Sequence, residues 1–260
     1  MFGTVILDAY SADEVESMAF AIEDLCSPID TYGWASAGIY SFWDYDTHEV
    51  LYIGLASDLA IRFKQHNGLI SMPEAGCKYN LIQDYFKKHS KLGYTIFVQS
   101  PLSQPMVHRN KKLIKNITSK LHVPIQDYAN EQGIIDIKVV EGILIESHNQ
   151  YYGKFPVWNK VGGSIVGQHR VRKHNINIVN CFSNPQFYNV NPIISRSSIR
   201  ELSNNPSYVS YELYLHTIRK YMLINGMEFD EALNFANKFD FFNQYKKICD
   251  AGYFDKNLHV

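Results

Sequence analysis

The sequence predicts an α+β fold, and three observations carry that expectation. Two short apolar strands, GIYSF and VLYIGL, lie close together within residues 38–66, GIYSFWDYDTHEVLYIGLASDLAIRFKQH. A helix opens directly after the second strand at Ser57-Asp58. Residues 94–100, YTIFVQS, form a further β-rich run, and most of the remaining chain shows helical spacing. Residues 43–49 read as a polar connector between the two strands. A hairpin symmetric about Asp46 sets Tyr40 opposite Tyr52 on one side of the ribbon. On the helix, Leu59 and Phe63 form the apolar pair, and Arg62 and His66 lie one turn apart on an adjoining face.

Elements follow in order. Residues 4–8 (TVILD) suggest a strand. A helix comes next, with Ser11 as N-cap and Glu14 three residues on, and it ends at Ser27-Pro28. Beyond the hairpin and its helix come a loop holding Pro73 and Gly76, a helix over 79–91, and the strand 94–100. Residues 106–121 predict a helix with a basic side, and 122–133 a loop. A helix over 134–152 carries Val139, Ile143, Glu146 and Gln150 on one inward stripe. Glu141 stands about 140° away around the axis. An irregular segment opens with Pro156-Val157-Trp158-Asn159, and a basic stretch covers 167–175. Residues 176–205, rich in Asn, Ser and Pro, read as a linker. Helices over 207–226, 227–239 and 240–252 close the chain.

Composition bounds the function. The 260 residues are 46% hydrophobic and 20% charged, as in ordinary globular chains. No apolar run reaches the ~18 residues of a membrane span, and the start lacks a signal-peptide pattern. Cys26, Cys77, Cys181 and Cys249 are widely spaced, which argues against a zinc site and for free thiols in a reducing, cytoplasmic setting. Residues 1–50 hold ten acids and no Lys or Arg, so the remaining chain has a formal balance of +9. That split suits a nucleic-acid surface after residue 50, although solvated faces produce such clusters too. Its candidate contacts are Arg109, Lys111, Lys112 and Lys115 on the basic helix, then Lys160, Arg170, Arg172 and Lys173.

Two tyrosines, an arginine, a histidine, a carboxylate and an asparagine suit one chemistry. An arginine fork grips phosphate oxygens and meets charge built in a transition state. A carboxylate with water-filled positions suits Mg²⁺ or Mn²⁺. A tyrosine hydroxyl depressed below its usual pKa by a nearby cation can act as a general base. Singly, each residue has a plain structural use. Jointly, they describe phosphodiester hydrolysis assisted by a metal ion.

The residues in question resemble the GIY-YIG nuclease family. Gly38-Ile39-Tyr40 is followed, eleven residues later, by Tyr52-Ile53-Gly54, and Arg62 stands ten residues after Tyr52. Ser57 to His66 looks like the family's Ser-x-x-Leu-x-x-Arg-x-x-x-His element: Leu59, Arg62 and His66 keep its spacing, Ser57 stands one residue closer to the Leu, and Asp58 precedes Leu59 where Asn is common. Glu146 to Asn159, with Pro156, resembles the family's Glu helix followed by Pro-x-x-Asn. The resemblance covers residues 35–162. It implies a small three-stranded sheet flanked by helices, made of the hairpin plus 94–100. It also implies cleavage of double-stranded DNA with Mg²⁺ or Mn²⁺. Carried over, Glu146 is the metal ligand, Arg62 the phosphate clamp, Tyr40 or Tyr52 the base, Asn159 an orienting residue, and His66 an assisting one. Helical phase and the distance to Asn159 favour Glu146 over Glu141.

The expected organisation is an acidic extension over 1–34, a nuclease domain over 35–175 with a basic insertion around 101–133, and a linker with helices over 176–260. The expected activity is that of a restriction-type endonuclease. Homing and repair nucleases, and a binding module retaining the fold, are the alternatives. One site cuts one strand, so a double-strand break calls for a homodimer or successive nicks.

Overall fold

A turn centred beyond Asp46 decides how the hairpin pairs. The computed structural model describes residues 2–29, 34–71, 76–128 and 131–260; Asp30 and Pro73 lie outside them. Strand β2 (Gly38–Asp44) runs antiparallel to β3 (Val50–Ala56), so Trp43 and Asp44, expected in a connector, belong to the strand. The Asp44 carboxylate accepts the backbone N–H groups of Asp46 (3.0 Å) and Thr47 (2.7 Å) and closes the turn. With a register shift between Phe42 and Trp43, Tyr40 pairs with Gly54 and Phe42 with Tyr52. The tyrosines therefore sit on a diagonal rather than opposite each other. They still share one face, with ring centroids 5.7 Å apart.

β2 also pairs with β4 (Leu92–Gln99), and β4 with β1 (Phe2–Tyr10), all antiparallel. Among the described residues the sheet has four strands in the order β1-β4-β2-β3, where three were expected. The added strand is TVILD lengthened to nine residues, nearly all buried.

Helix α1 (Val15–Leu25) follows β1, and α2 (Leu59–His66) and α3 (Tyr79–Phe86) lie between β3 and β4. Next come α4 (Lys111–Leu121), a short α5 (Ile125–Tyr128) within the expected loop, and α6 (Glu131–Tyr152). Then follow α7 (Ile165–Gln168), α8 (Asn175–Asn180) and α9 (Ile199–Ser203). Last are α10 (Pro206–Asn225), α11 (Phe229–Asn237) and α12 (Gln244–Asp250). The expected helix over 79–91 ends early and that over 106–121 starts late. None of the helices is long and apolar enough among the described residues to cross a membrane.

Both faces of the sheet are covered, which is why the strands lack a polar side. Ile6, Tyr40, Phe42, Tyr94 and Ile96 pack against α1, α2, α3 and α9. Val5, Leu7, Ile39, Trp43 and Ile53 face α6, α8 and the chain around Phe182. Residues 176–205 are thus not a linker. Val179, Cys181, Phe182, Ile194, Ile199 and Leu202 are buried, and Ile193 and Ser195 hydrogen-bond the outer edge of β1 at Val5. Their polar composition is spent on turns and caps. The N-terminal acids are structural as well: Asp8 and Glu14 pair with Arg200, and Glu23 with Lys64 and Arg109.

The inward row of α6 differs from the expected one. Its buried residues include Ile137, Leu144, Ile145 and His148. Glu141 stands four residues after Ile137 and four before Ile145, so it belongs to that row and Glu146 does not. The helix is apolar almost all round, which leaves its phase open to reading from sequence. Its contact with α7 settles the matter. A Cβ on Gly142 would lie 2.3 Å from the Ser164 carbonyl oxygen, so only glycine allows the crossing.

Candidate active site

Four parts of the chain build the site: β2 brings Tyr40, β3 Tyr52, α2 Arg62 and His66, and α6 with the segment after it Glu141 and Asn159. The hairpin can hold two rings side by side because Gly54 lies beneath them. A Cβ there would come within 2.6 Å of the Tyr52 ring and 2.9 Å of Tyr40. Helix α2 is aimed by its N-cap. Asp58 accepts the Ile61 N–H (3.0 Å), and its carboxylate is gripped by the Arg109 fork at 2.7 and 2.8 Å. Arg109 also pairs with Glu23, so this expected DNA contact is committed to holding α2 in place.

Hydrogen bonds assign the protons. The backbone N–H of Lys78 donates to His66 Nδ1 at 3.0 Å, so in the neutral ring Nε2 carries the proton. His66 Nε2 then donates to the Tyr40 hydroxyl oxygen at 2.7 Å. The neutral form is favoured, because burial, then Arg62 and Lys78, push the imidazole down to about 3. Arg62 Nε donates to the same Tyr40 oxygen at 3.2 Å. With two donors on its oxygen, Tyr40 directs its own O–H to Tyr52, its remaining hydrogen-bond partner.

Neither phenol is depressed, contrary to expectation. Tyr40 is 1% exposed, and burial lifts it well above its ordinary value against the pull of Arg62. Burial raises Tyr52 too, opposed by the Tyr40 hydrogen bond and Arg62. Tyr52 is the less buried of the two.

The outer edge of β3 organises the remainder. The Trp158 N–H donates to the Leu51 carbonyl at 2.8 Å. Asn159 then spans Ile53, accepting its N–H at 2.9 Å and donating to its carbonyl at 2.8 Å. One residue pair further along, the Glu141 carboxylate accepts the Leu55 N–H. Asn159 and Glu141 are thus successive rungs on one strand edge, flanking the backbone that carries Tyr52 and Gly54. Burial pushes Glu141 up to about 7, with the Leu55 hydrogen bond and Arg62 acting against it.

Glu146 is elsewhere. It accepts from Asn149 (3.2 Å) and Gln150 (3.0 Å) on its own helix, and among the described residues neither hydrogen bond involves the tyrosines, Arg62 or His66. The acid at the cluster is Glu141. Lys78 also joins the site, with its ammonium 4.6 Å above the Tyr52 ring, and no local pattern in the sequence marks it. Lys111, Lys112, Lys115, Lys160, Arg170, Arg172 and Lys173 are all exposed.

Among the described residues no three His, Cys, Asp or Glu side chains converge as a cage for a metal ion. A hard divalent cation that keeps most of its waters needs only one or two carboxylates. Glu141 fits that need: its raised pKa marks a carboxylate short of compensating charge, as an added cation would supply. Glu146, held by two amides of its own helix, fits less well. No family model, no curated protein and no solved structure matches the chain.

Proposed function

We propose that this chain is a divalent-metal-dependent endonuclease of the GIY-YIG type, hydrolysing phosphodiester bonds in double-stranded DNA. The observation that carries the reading is the hydrogen-bonded chain of His66 and Arg62 onto Tyr40, and of Tyr40 onto Tyr52, beside the edge-bound Glu141. Arg62 clamps the phosphate and meets the charge gathering on its oxygens. Tyr52 takes the proton of the attacking water as a phenolate, its own proton having first gone to solvent, and the Tyr40 hydroxyl and Arg62 stabilise the charge on that oxygen. Tyr40 can do so because its own oxygen is held by two donors. His66 is a donor that fixes Tyr40, not a base. Asn159 keeps β3, and with it Tyr52, in register. Glu141 would hold Mg²⁺ or Mn²⁺, which supplies Lewis-acid stabilisation of the phosphate and a more acidic bound water. The overall change is addition of water across one P–O bond. Sequence-specific cleavage of the restriction type is the finer form of this reading.

The test is plasmid cleavage with Mg²⁺ and with EDTA, comparing wild type, Glu141→Gln and Glu146→Gln. The expected result is metal-dependent cleavage that falls more than about 100-fold in Glu141→Gln and survives in Glu146→Gln. Discrete fragments support the restriction form. Cleavage lost in Glu146→Gln but kept in Glu141→Gln returns the ligand to Glu146. If no duplex is cut under any of these conditions, the endonuclease reading is wrong.

A further inference from the structure

We propose that Lys78, together with Lys160, forms a second phosphate seat beside Arg62, so that the site grips an extended polynucleotide strand rather than one isolated phosphate. The inference rests on the nuclease reading and adds to it a residue and a substrate class. Lys78 stands just ahead of α3 and is only 6% exposed. Its ammonium lies over the Tyr52 ring at 4.6 Å, and its backbone N–H anchors His66. The side chain makes no ion pair with a carboxylate among the described residues. Burial first, and then two further cations among its charged neighbours, Lys160 and Arg62, drive the ammonium's pKa down.

A largely buried ammonium among like charges is costly for the fold, and a neutral side chain would fill the same space at less cost. Contact with an aromatic face offsets only part of that cost. An anion placed among the three cations removes the repulsion. Three positive side chains with donors suit phosphate. The three do not sit at one point: Arg62 is part-buried against Tyr40, Lys78 is more deeply buried over Tyr52, and Lys160 is exposed. Positive charge therefore spans from both tyrosines to the surface, which suits a strand backbone better than a single phosphate.

The residue can be tested without disturbing the catalytic chain, because Lys78→Gln keeps the backbone N–H that holds His66. Binding of the full chain to a labelled DNA duplex is read by fluorescence anisotropy across a salt series, in EDTA to prevent cleavage. For each phosphate contact removed, the plot of log affinity against log salt should flatten by about 0.9. Lys78→Gln is expected to weaken binding several-fold on any sequence and to flatten the slope by about that amount, and Lys78→Arg to restore it. Lys160→Gln, at an exposed position that tolerates substitution, is expected to flatten the slope likewise. A folded Lys78→Gln or Lys160→Gln protein with the wild-type slope overturns the seat and leaves Lys78 as a packing residue. Wild type that shows no salt-dependent affinity for the duplex overturns the nuclease reading itself, and the seat with it.

Discussion

Glu141 carries the strongest electrostatic signature of the site, and its pKa makes a prediction with a definite sign. Its carboxyl titrates near 7 in the folded chain against 4.5 ordinarily. Between those values the folded state binds a proton that the unfolded state has released, so stability falls as pH rises through that window. Below the window the side chain costs nothing extra; above it the buried charge costs about 1–3 kcal/mol. Glu141→Gln is therefore expected to melt higher than wild type at pH 8 in metal-free buffer, and at nearly the same temperature at pH 4.5. Thermal unfolding at both pH values checks this, and equal melting points at pH 8 would refute it. The gain belongs to a variant expected to lose cleavage, which is the ordinary trade at a functional carboxylate. Tyr40, Tyr52, Arg62, His66 and Asn159 were legible in the sequence because residue type and spacing mark them. Glu141 does not stand out from Glu146 in the sequence, because α6 has little amphipathic contrast and its phase reads two ways. Lys78 was invisible, since what places it is a loop return onto His66 rather than any repeating pattern.

At the level of elements, the edge of β3 determines whether those residues meet. Leu51, Ile53 and Leu55 are served in turn by Trp158, Asn159 and Glu141, so the edge is closed and its twist is held from outside the sheet. Asn159 makes two hydrogen bonds to one backbone residue, and its truncation leaves the Ile53 N–H and C=O without that partner. Asn159→Ala is expected to lose about 1–3 kcal/mol in denaturant unfolding. Under the proposed nuclease reading it should also lower kcat with little change in KM, because the bond would align Tyr52 without touching substrate. An Asn159→Ala protein with wild-type kcat would show that β3 holds its register without the clamp. The hairpin, the helix after it and β4 could be read from sequence, since each has a clear period. The register could not be, because the Asp44 side chain, not a glycine turn, closes the hairpin and moves its centre. Residues 176–205 were equally opaque: a segment of Asn, Ser and Pro looks the same whether it spans solvent or caps short helices in a core.

For the whole molecule, the decisive connection runs from the C-terminal helices to the opposite edge of the sheet. Arg219 of α10 is 2% exposed, pairs with Glu212 at 2.6 Å, and donates to Thr4 of β1 (3.0 Å) and to the carbonyls of Pro192 (2.6 Å) and Ile194 (3.3 Å). Glu212, fully buried, also accepts from the Arg196 N–H (3.0 Å) and the Tyr253 hydroxyl (2.7 Å). Every element that meets at this network belongs to a different stretch of chain, so the helices after residue 205 are fastened to the first strand. Removing one partner of such a pair leaves a buried charge uncompensated, which costs about 3–5 kcal/mol. Arg219→Met is thus expected to lower the unfolding free energy by that amount while the transition stays single. In a Trp34→Phe, Trp158→Phe background the fluorescence of Trp43 reports the sheet alone, whereas far-UV circular dichroism is weighted toward the helices. Coincident transitions by both probes, in wild type and in variant, are what one cooperative unit requires. If the helical signal of Arg219→Met melts first while Trp43 stays native, the C-terminal helices are an independent unit. The fourth strand would then not depend on them.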